Sequence, residues 1–179
     1  MFVSVDLEEN SIKDKLTILQ RKINKIGQHN LEKTENLHIT INFLGNVSVK
    51  DEITIKQKLK KIQMKRFKIN LEGLGVFPNK KYIKVVWVGC KGKGIYRLKE
   101  SISDVLPDKY VSKESFIPHI TISRLKNINK KEKNRLITFI DGKKTKKFGS
   151  ITIKNFKLKR SNFKKNGVVH TEEKIFDLA

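Results

Sequence analysis

The tetrapeptide His-Ile-Thr-Ile occurs twice in the chain, at residues 38–41 and again at residues 119–122, and a Leu follows each copy at its seventh position (Leu44, Leu125). Successive side chains of an extended strand point to opposite faces. Each copy therefore offers an imidazole and a hydroxyl on one side (His38 and Thr40; His119 and Thr121) and two isoleucines on the other. Two such strands brought together place two histidines and two threonines around one small volume. Those are the groups that general acid and base catalysis around an oxyanion calls for. A single His-x-Thr would signify little, because it is as compatible with a surface or core pair. The repetition carries the argument.

The repeat extends beyond the tetrapeptides. The same offset of 81 residues pairs Asn46 with Asn127, Asp51 with Glu132, Leu59 with Ile140 and Lys65-Arg66-Phe67 with Lys146-Lys147-Phe148. It also lays Phe2-Val3-Ser4-Val5 over Ile83-Lys84-Val85-Val86. A long period present twice indicates an internal duplication with pseudo-two-fold symmetry; a solenoid would need several short repeats.

The 179 residues, 37% of them hydrophobic, suit one domain or two small lobes sharing a core. The formal net charge of +22, from 40 Lys and Arg against 18 Asp and Glu, argues for a polyanionic partner, nucleic acid first; a compositional bias of the source or a hot habitat would also enrich Lys. The lone Cys90 excludes an intramolecular disulfide framework and reads as a small apolar strand residue. No apolar run reaches the length of a membrane span, and Met1-Phe2-Val3-Ser4-Val5-Asp6 lacks the features of a signal peptide, so the expected setting is cytoplasmic, without a membrane.

Apolar periodicity predicts strands at Val3–Leu7, Leu37–Leu44, around Phe67, Ile69 and Leu71, at Tyr82–Val88 and at Phe116–Leu125. Helices are predicted from Ser11 to about Gly27, from Ser48 through Ile55, Leu59 and Ile62, over Ile95–Val105 and over Leu136–Ile140, with Ser11/Asp14 and Ser48/Asp51 as cap signatures. Gly73, Gly75, Pro78 and Asn79 read as turn residues. The end reads as a hairpin, Ser150–Lys159 and Val168–Leu178 around a Lys164-Lys165-Asn166-Gly167 turn. His29 falls at a helix end or loop and His170 in the last strand; Trp87 and Phe77 read as core residues. The whole implies an α+β fold in which helices cover the outer faces of two antiparallel sheets and the His/Thr faces turn toward a central cleft.

Residues 36–45, Asn-Leu-His-Ile-Thr-Ile-Asn-Phe-Leu-Gly, and 116–124, Phe-Ile-Pro-His-Ile-Thr-Ile-Ser-Arg, resemble the two signatures of the 2H phosphoesterases. The branch they are most similar to is that of the RNA 2',3'-cyclic phosphodiesterases, also called LigT-like proteins or 2'-5' RNA ligases. Phe77-Pro78-Asn79, Val85-Val86-Trp87-Val88-Gly89 and the opening Phe2–Leu7 also resemble that family, so the likeness spans nearly the whole chain. It departs from the pattern at Lys84, where many relatives have Arg, and at His170, where Tyr is common. The resemblance implies one bilobal domain over residues 1–179, an active site in the groove between lobes, and metal- and cofactor-free hydrolysis of a ribose 2',3'-cyclic phosphate to a 2'-phosphomonoester. The implied substrate is an RNA ending in that group, with tRNA fragments among the candidates, and the expected state is a monomer.

By analogy with the family His38 is the general acid and His119 the general base. Thr40 and Thr121 can donate hydroxyl protons to phosphate oxygens, and Arg124 can add a guanidinium fork matched to phosphate. No Cys, His or carboxylate accompanies either motif at zinc-ligand spacing. Three alternatives share the motifs: 2'-5' joining of tRNA halves at the same site, a non-catalytic module that holds RNA ends, and a ribonuclease that cuts internal linkages. If the basic surface gathers RNA, binding of a long RNA weakens steeply with salt, while hydrolysis of a small cyclic nucleotide responds far less. A parallel salt titration checks this; equal, shallow slopes would make the charge compositional. In the same comparison Arg124→Ala impairs both substrates, whereas neutralising Lys164 and Lys165 touches only the long one or neither.

Overall fold

The computed structural model describes residues 1–27, 29–164 and 167–179. In chain order the elements are β1 (Phe2–Asp6), α1 (Asn10–Asn24), β2 (His29–Leu31), β3 (His38–Phe43), α2 (Val49–Leu59), β4 (Phe67–Pro78), β5 (Ile83–Lys91), α3 (Lys93–Val105), β6 (His119–Leu125), α4 (Lys130–Asp141), β7 (Lys147–Ile153), β8 (Asn155–Lys164) and β9 (Gly167–Asp177). The turn expected at residues 164–167 includes Lys165 and Asn166, which lie outside the described residues.

Local chemistry explains most boundaries. Ser48 caps α2, its hydroxyl accepting from the Asp51 amide at 3.1 Å. Asn129 and Glu132 close a capping box at the start of α4. The cap expected at Ser11 does not form: α1 begins one residue earlier, after Glu9, with no side chain capping it. Its buried stripe is Ile12, Leu16, Leu19 and Ile23, as the spacing predicts, and Gln20 is buried with it.

Among the described residues all strand pairs are antiparallel, and their order is β7-β4-β5-β6-β3-β1-β8-β9, with β2 also pairing β6 off this path. The two expected sheets are two limbs of this array, β7-β4-β5-β6 and β3-β1-β8-β9, joined by a single pair, Ile39 opposite Ile120. Those residues are equivalents in the 81-residue repeat, so the pseudo-two-fold axis passes between them. It passes again between β4 and β7, where Ile69 pairs with Ile151 and Asn70 with Ser150, two pairs that the same offset exchanges. The last strand of each copy crosses to the other limb: β4, from the first copy, pairs with β5, and β8, from the second, pairs with β1. Strands β7 and β8 are separated only by Lys154 yet belong to opposite limbs, which explains why the sequence reads as one strand there.

The isoleucines of both motifs are buried, with Val86, Val88, Phe156 and Leu158 from both limbs. Each such side chain contributes roughly 1.5–3 kcal/mol by leaving water. Cys90 is buried in β5, as its neighbours predicted.

Gly73 and Gly75 lie within β4 and do not form a turn; the turn follows Pro78. They are there for close approach. A Cβ at Gly73, where φ is +80°, would meet the Lys144 carbonyl oxygen at 2.5 Å, and one at Gly75 would meet the Trp87 ring at 2.1 Å. Gly75→Ala therefore pushes the indole off its cross-strand partner, and by the cost of overpacking it destabilises the fold by about 1–3 kcal/mol. Denaturant unfolding measures this; an unchanged midpoint would contradict the packing.

Candidate active site

Both His-Ile-Thr strands alternate as predicted: His38, Thr40, His119 and Thr121 are half-buried, and the intervening isoleucines are buried. The antiparallel register set by Ile39 and Ile120 puts His38 across from Thr121 and Thr40 across from His119. All four line one cleft of about 1340 Å³, together with Arg124.

Simple alternation would turn Arg124 away from that face. Strand β6 carries a bulge, with Thr121 opposite Trp87 and Ser123 opposite Val86, so Ile122 is the extra residue. Ile122 and Ser123 are consecutively buried, and Arg124 returns to the cleft side. The same bulge occurs in β3 at the equivalent Ile41, between Thr40 opposite Ser4 and Asn42 opposite Val3. There the returning residue is Phe43, which is 63% exposed. One copy thus sends a guanidinium into the cleft where the other sends a phenyl ring. Arg124 keeps 60% of its side chain exposed, its Nε 3.6 Å from the Glu32 carboxylate.

The bulges also bury two polar side chains, Asn42 in β3 and Ser123 in β6. Ser123 Oγ lies 3.1 Å from His29 Nδ1, which fixes β2 against β6. His29 is therefore a strand residue on the cleft wall, and its loop assignment is corrected: a three-residue strand held by its neighbour leaves no periodic signal. Gln20 helps to hold it, donating to the carbonyls of Glu32 and Ile122 at 2.7 and 2.8 Å.

Each motif imidazole is held in the same way. His38 Nδ1 is 2.6 Å from the Asn36 carbonyl oxygen and His119 Nδ1 is 2.6 Å from that of Ile117. A carbonyl only accepts, so Nδ1 carries the hydrogen and the neutral ring leaves Nε2 bare. Nε2 is then the atom that can take a proton or, once protonated, deliver one.

Beyond this the two sites differ. His119 stands against Phe77 and Trp87, with centroids at 4.9 and 5.9 Å. Both aromatics are only half-buried, so the expectation that they serve the core is revised: they wall His119. His38 packs on Phe2 at 5.2 Å and meets His170 edge-on at 5.4 Å. His170 does sit in the last strand, but it also lines the cleft, with Nδ1 3.2 Å from Ser161 Oγ. Its departure from the family's Tyr was the one signal in the sequence. Next to this group lies Asp6, paired with the buried Lys159 at 2.6 Å and with Lys157 at 3.2 Å.

Burial pushes His38 down to about 4, the Lys159 ammonium and His170 adding to it while the Asn36 carbonyl and Asp6 oppose. His119 is lowered too, chiefly by burial and then by Arg124, against the pull of the Ile117 carbonyl. Among the described residues no three His, Cys, Asp or Glu side chains stand together as a metal site would require.

A family model described as LigT like Phosphoesterase matches residues 5–87 and again 88–170, dividing the chain close to where the internal repeat does. The chain belongs to the LigT-like phosphoesterase family. It is 35% identical over 172 residues to an RNA 2',3'-cyclic phosphodiesterase of Methanocaldococcus jannaschii, 95% of each chain being covered. It is 29% identical over 179 residues to the protein of that name in Archaeoglobus fulgidus, covering 99% of each. The fold matches that of Escherichia coli LigT in its apo form, with a TM-score of 0.78 at 22% identity over 99% of this chain and 95% of the other.

Because folding holds His38 neutral, the unfolded state binds its proton more readily, and stability must fall as pH falls. The loss begins near the ordinary histidine value of 6.5 and runs down toward 4, and it amounts to about 3 kcal/mol for His38 alone. His119, His170 and His29 act in the same direction. Urea unfolding between about pH 7 and 5.5, where most carboxylates stay ionised, reads the upper part of this slope. His38→Phe flattens it; an equal slope in that variant would mean that the imidazole is not held neutral.

Proposed function

We propose that the protein hydrolyses the 2',3'-cyclic phosphate at an RNA 3' end to a 2'-phosphomonoester. The observation that carries this is the pair of imidazoles, each with Nδ1 spent on a backbone carbonyl and Nε2 left bare, facing each other's threonine across one cleft. Relatives named for this activity, aligned over nearly the whole chain, support it.

In the proposed step His119 takes a proton from water as its oxygen bonds to phosphorus. The bond from phosphorus to the ribose 3' oxygen breaks, and His38 delivers a proton to that oxygen, leaving the phosphate on the 2' oxygen. Thr40, Thr121 and Arg124 hold the non-bridging oxygens as charge shifts onto them. Burial holds both rings below their ordinary pKa, so the acid acquires its proton with the substrate: a phosphate anion beside the imidazole raises it. Joining tRNA halves through a 2'-5' linkage would use the same groups with an RNA 5'-hydroxyl in place of water.

Purified protein incubated with EDTA and a short RNA bearing a 2',3'-cyclic end yields the 2'-phosphate, with a bell-shaped pH profile. Internal cleavage, an unchanged RNA or a requirement for added metal would each refute the reading. His38→Ala and His119→Ala each lower kcat by roughly 10²–10⁴-fold, and the double variant is little worse because the pair acts as a unit.

A further inference from the structure

The cleft of about 1340 Å³ is roomier than the ~300–1,000 Å³ usual for small-molecule sites. Part of it lies beyond Thr40, where β3 continues to Asn42 and α3 contributes Lys99 to the wall. Asn42 is buried, and its amide is fully used within the protein. Nδ2 donates to the carbonyls of Tyr110 (2.7 Å) and Phe43 (3.1 Å), while Oδ1 accepts from the Ser112 amide (3.1 Å) and from the Lys99 ammonium. That last bond holds the end of a long, otherwise free side chain in place.

An ammonium has three donors, and Asn42 occupies one. Among the described residues no carboxylate pairs with Lys99, in contrast to Lys157, Lys159 and Arg160 around the other limb. Glu114 also lines the cleft but makes no ion pair with it. The repeat supplies no counterpart: 81 residues before Lys99 stands Ile18, exposed, and in place of Asn42 the second copy has Ser123, which holds His29. The cation is thus half-buried, fixed by a neutral partner, open to the cleft, and present on one side only. Asn42 follows Thr40 across the bulge at Ile41, and the ammonium it holds lines the same cleft as both motif histidines.

We propose that Lys99 binds the 5'-phosphate of the same nucleotide whose 2',3'-cyclic phosphate lies between His38 and His119. Resting on the function proposed above, this makes the substrate a phosphodiester-linked RNA end in preference to a free nucleoside cyclic phosphate.

The test compares a nucleoside 2',3'-cyclic phosphate with the same compound carrying a 5'-phosphate, in the wild type and in Lys99→Gln. The 5'-phosphate lowers KM in the wild type roughly tenfold, as a charge-assisted hydrogen bond would. In Lys99→Gln that advantage is largely lost while kcat holds, and Lys99→Arg restores part of it. A KM change of equal size with both substrates, or none with either, overturns the proposal. Calorimetric binding of a nucleoside 2',5'-bisphosphate against the 2'-monophosphate asks the same question without turnover. If neither cyclic substrate were hydrolysed, the function would fall, yet the ratio of the two Kd values would still decide Lys99; the same ratio in wild type and variant would overturn it. Lys99→Met, which keeps the aliphatic stem, repeats both measurements should the glutamine disturb folding.

Discussion

The two limbs of the sheet meet at one rung, Ile39 opposite Ile120, and the places of the two motif histidines and two motif threonines follow from that register. A slip of one residue in either strand would send its histidine and threonine into the core and its isoleucines into the cleft. What resists the slip is the apolar face: all four motif isoleucines are buried, so any other register would exchange them for an imidazole and a hydroxyl. The hydrophobic side of each motif thus fixes the geometry, and the polar side can be left free for chemistry.

Symmetry then has to be broken, because an acid and a base are not the same thing. The backbone treats His38 and His119 alike, giving each a carbonyl two residues earlier, and the difference comes from what lies behind them. His119 rests on Phe77 and Trp87; His38 rests on Phe2 and His170, with the Asp6–Lys159 ion pair close by. A buried pair of that kind is costly to break from one side, since the remaining charge loses its partner without regaining water. Asp6 and Lys159 come from strands flanking β3 and its neighbour, so the polar support of His38 is built into the sheet.

The fold class, the duplication, most helix boundaries and the motif side chains were legible in the sequence because each is a local or periodic signal. Ser48 with Asp51 marks the start of α2 from neighbouring residues alone, and His-Ile-Thr-Ile declares a half-buried strand. The bulges at Ile41 and Ile122 were not legible, since a bulge depends on the partner strand. Without them alternation alone puts Arg124 on the wrong face, and only family resemblance placed it in the site. Gly73 and Gly75 looked like turn residues because what demands them, the Lys144 carbonyl and the Trp87 ring, is brought there by other segments. His29 and His170 reach the cleft through pairings with β6 and β8 that no nearby residue announces.

The exchange of β4 and β8 between limbs has a consequence for how such a molecule can arise. A chain of half this length, with one His-x-Thr strand, would reproduce this sheet by lending its last strand to an identical neighbour and borrowing one in return, as domain-swapped homodimers do. The cleft would then lie on the dimer axis with two identical histidines. Fusing two copies end to end keeps this architecture and lets each half mutate alone. Phe43 standing where the other copy has Arg124, and Ile18 where it has Lys99, are differences that no homodimer could acquire.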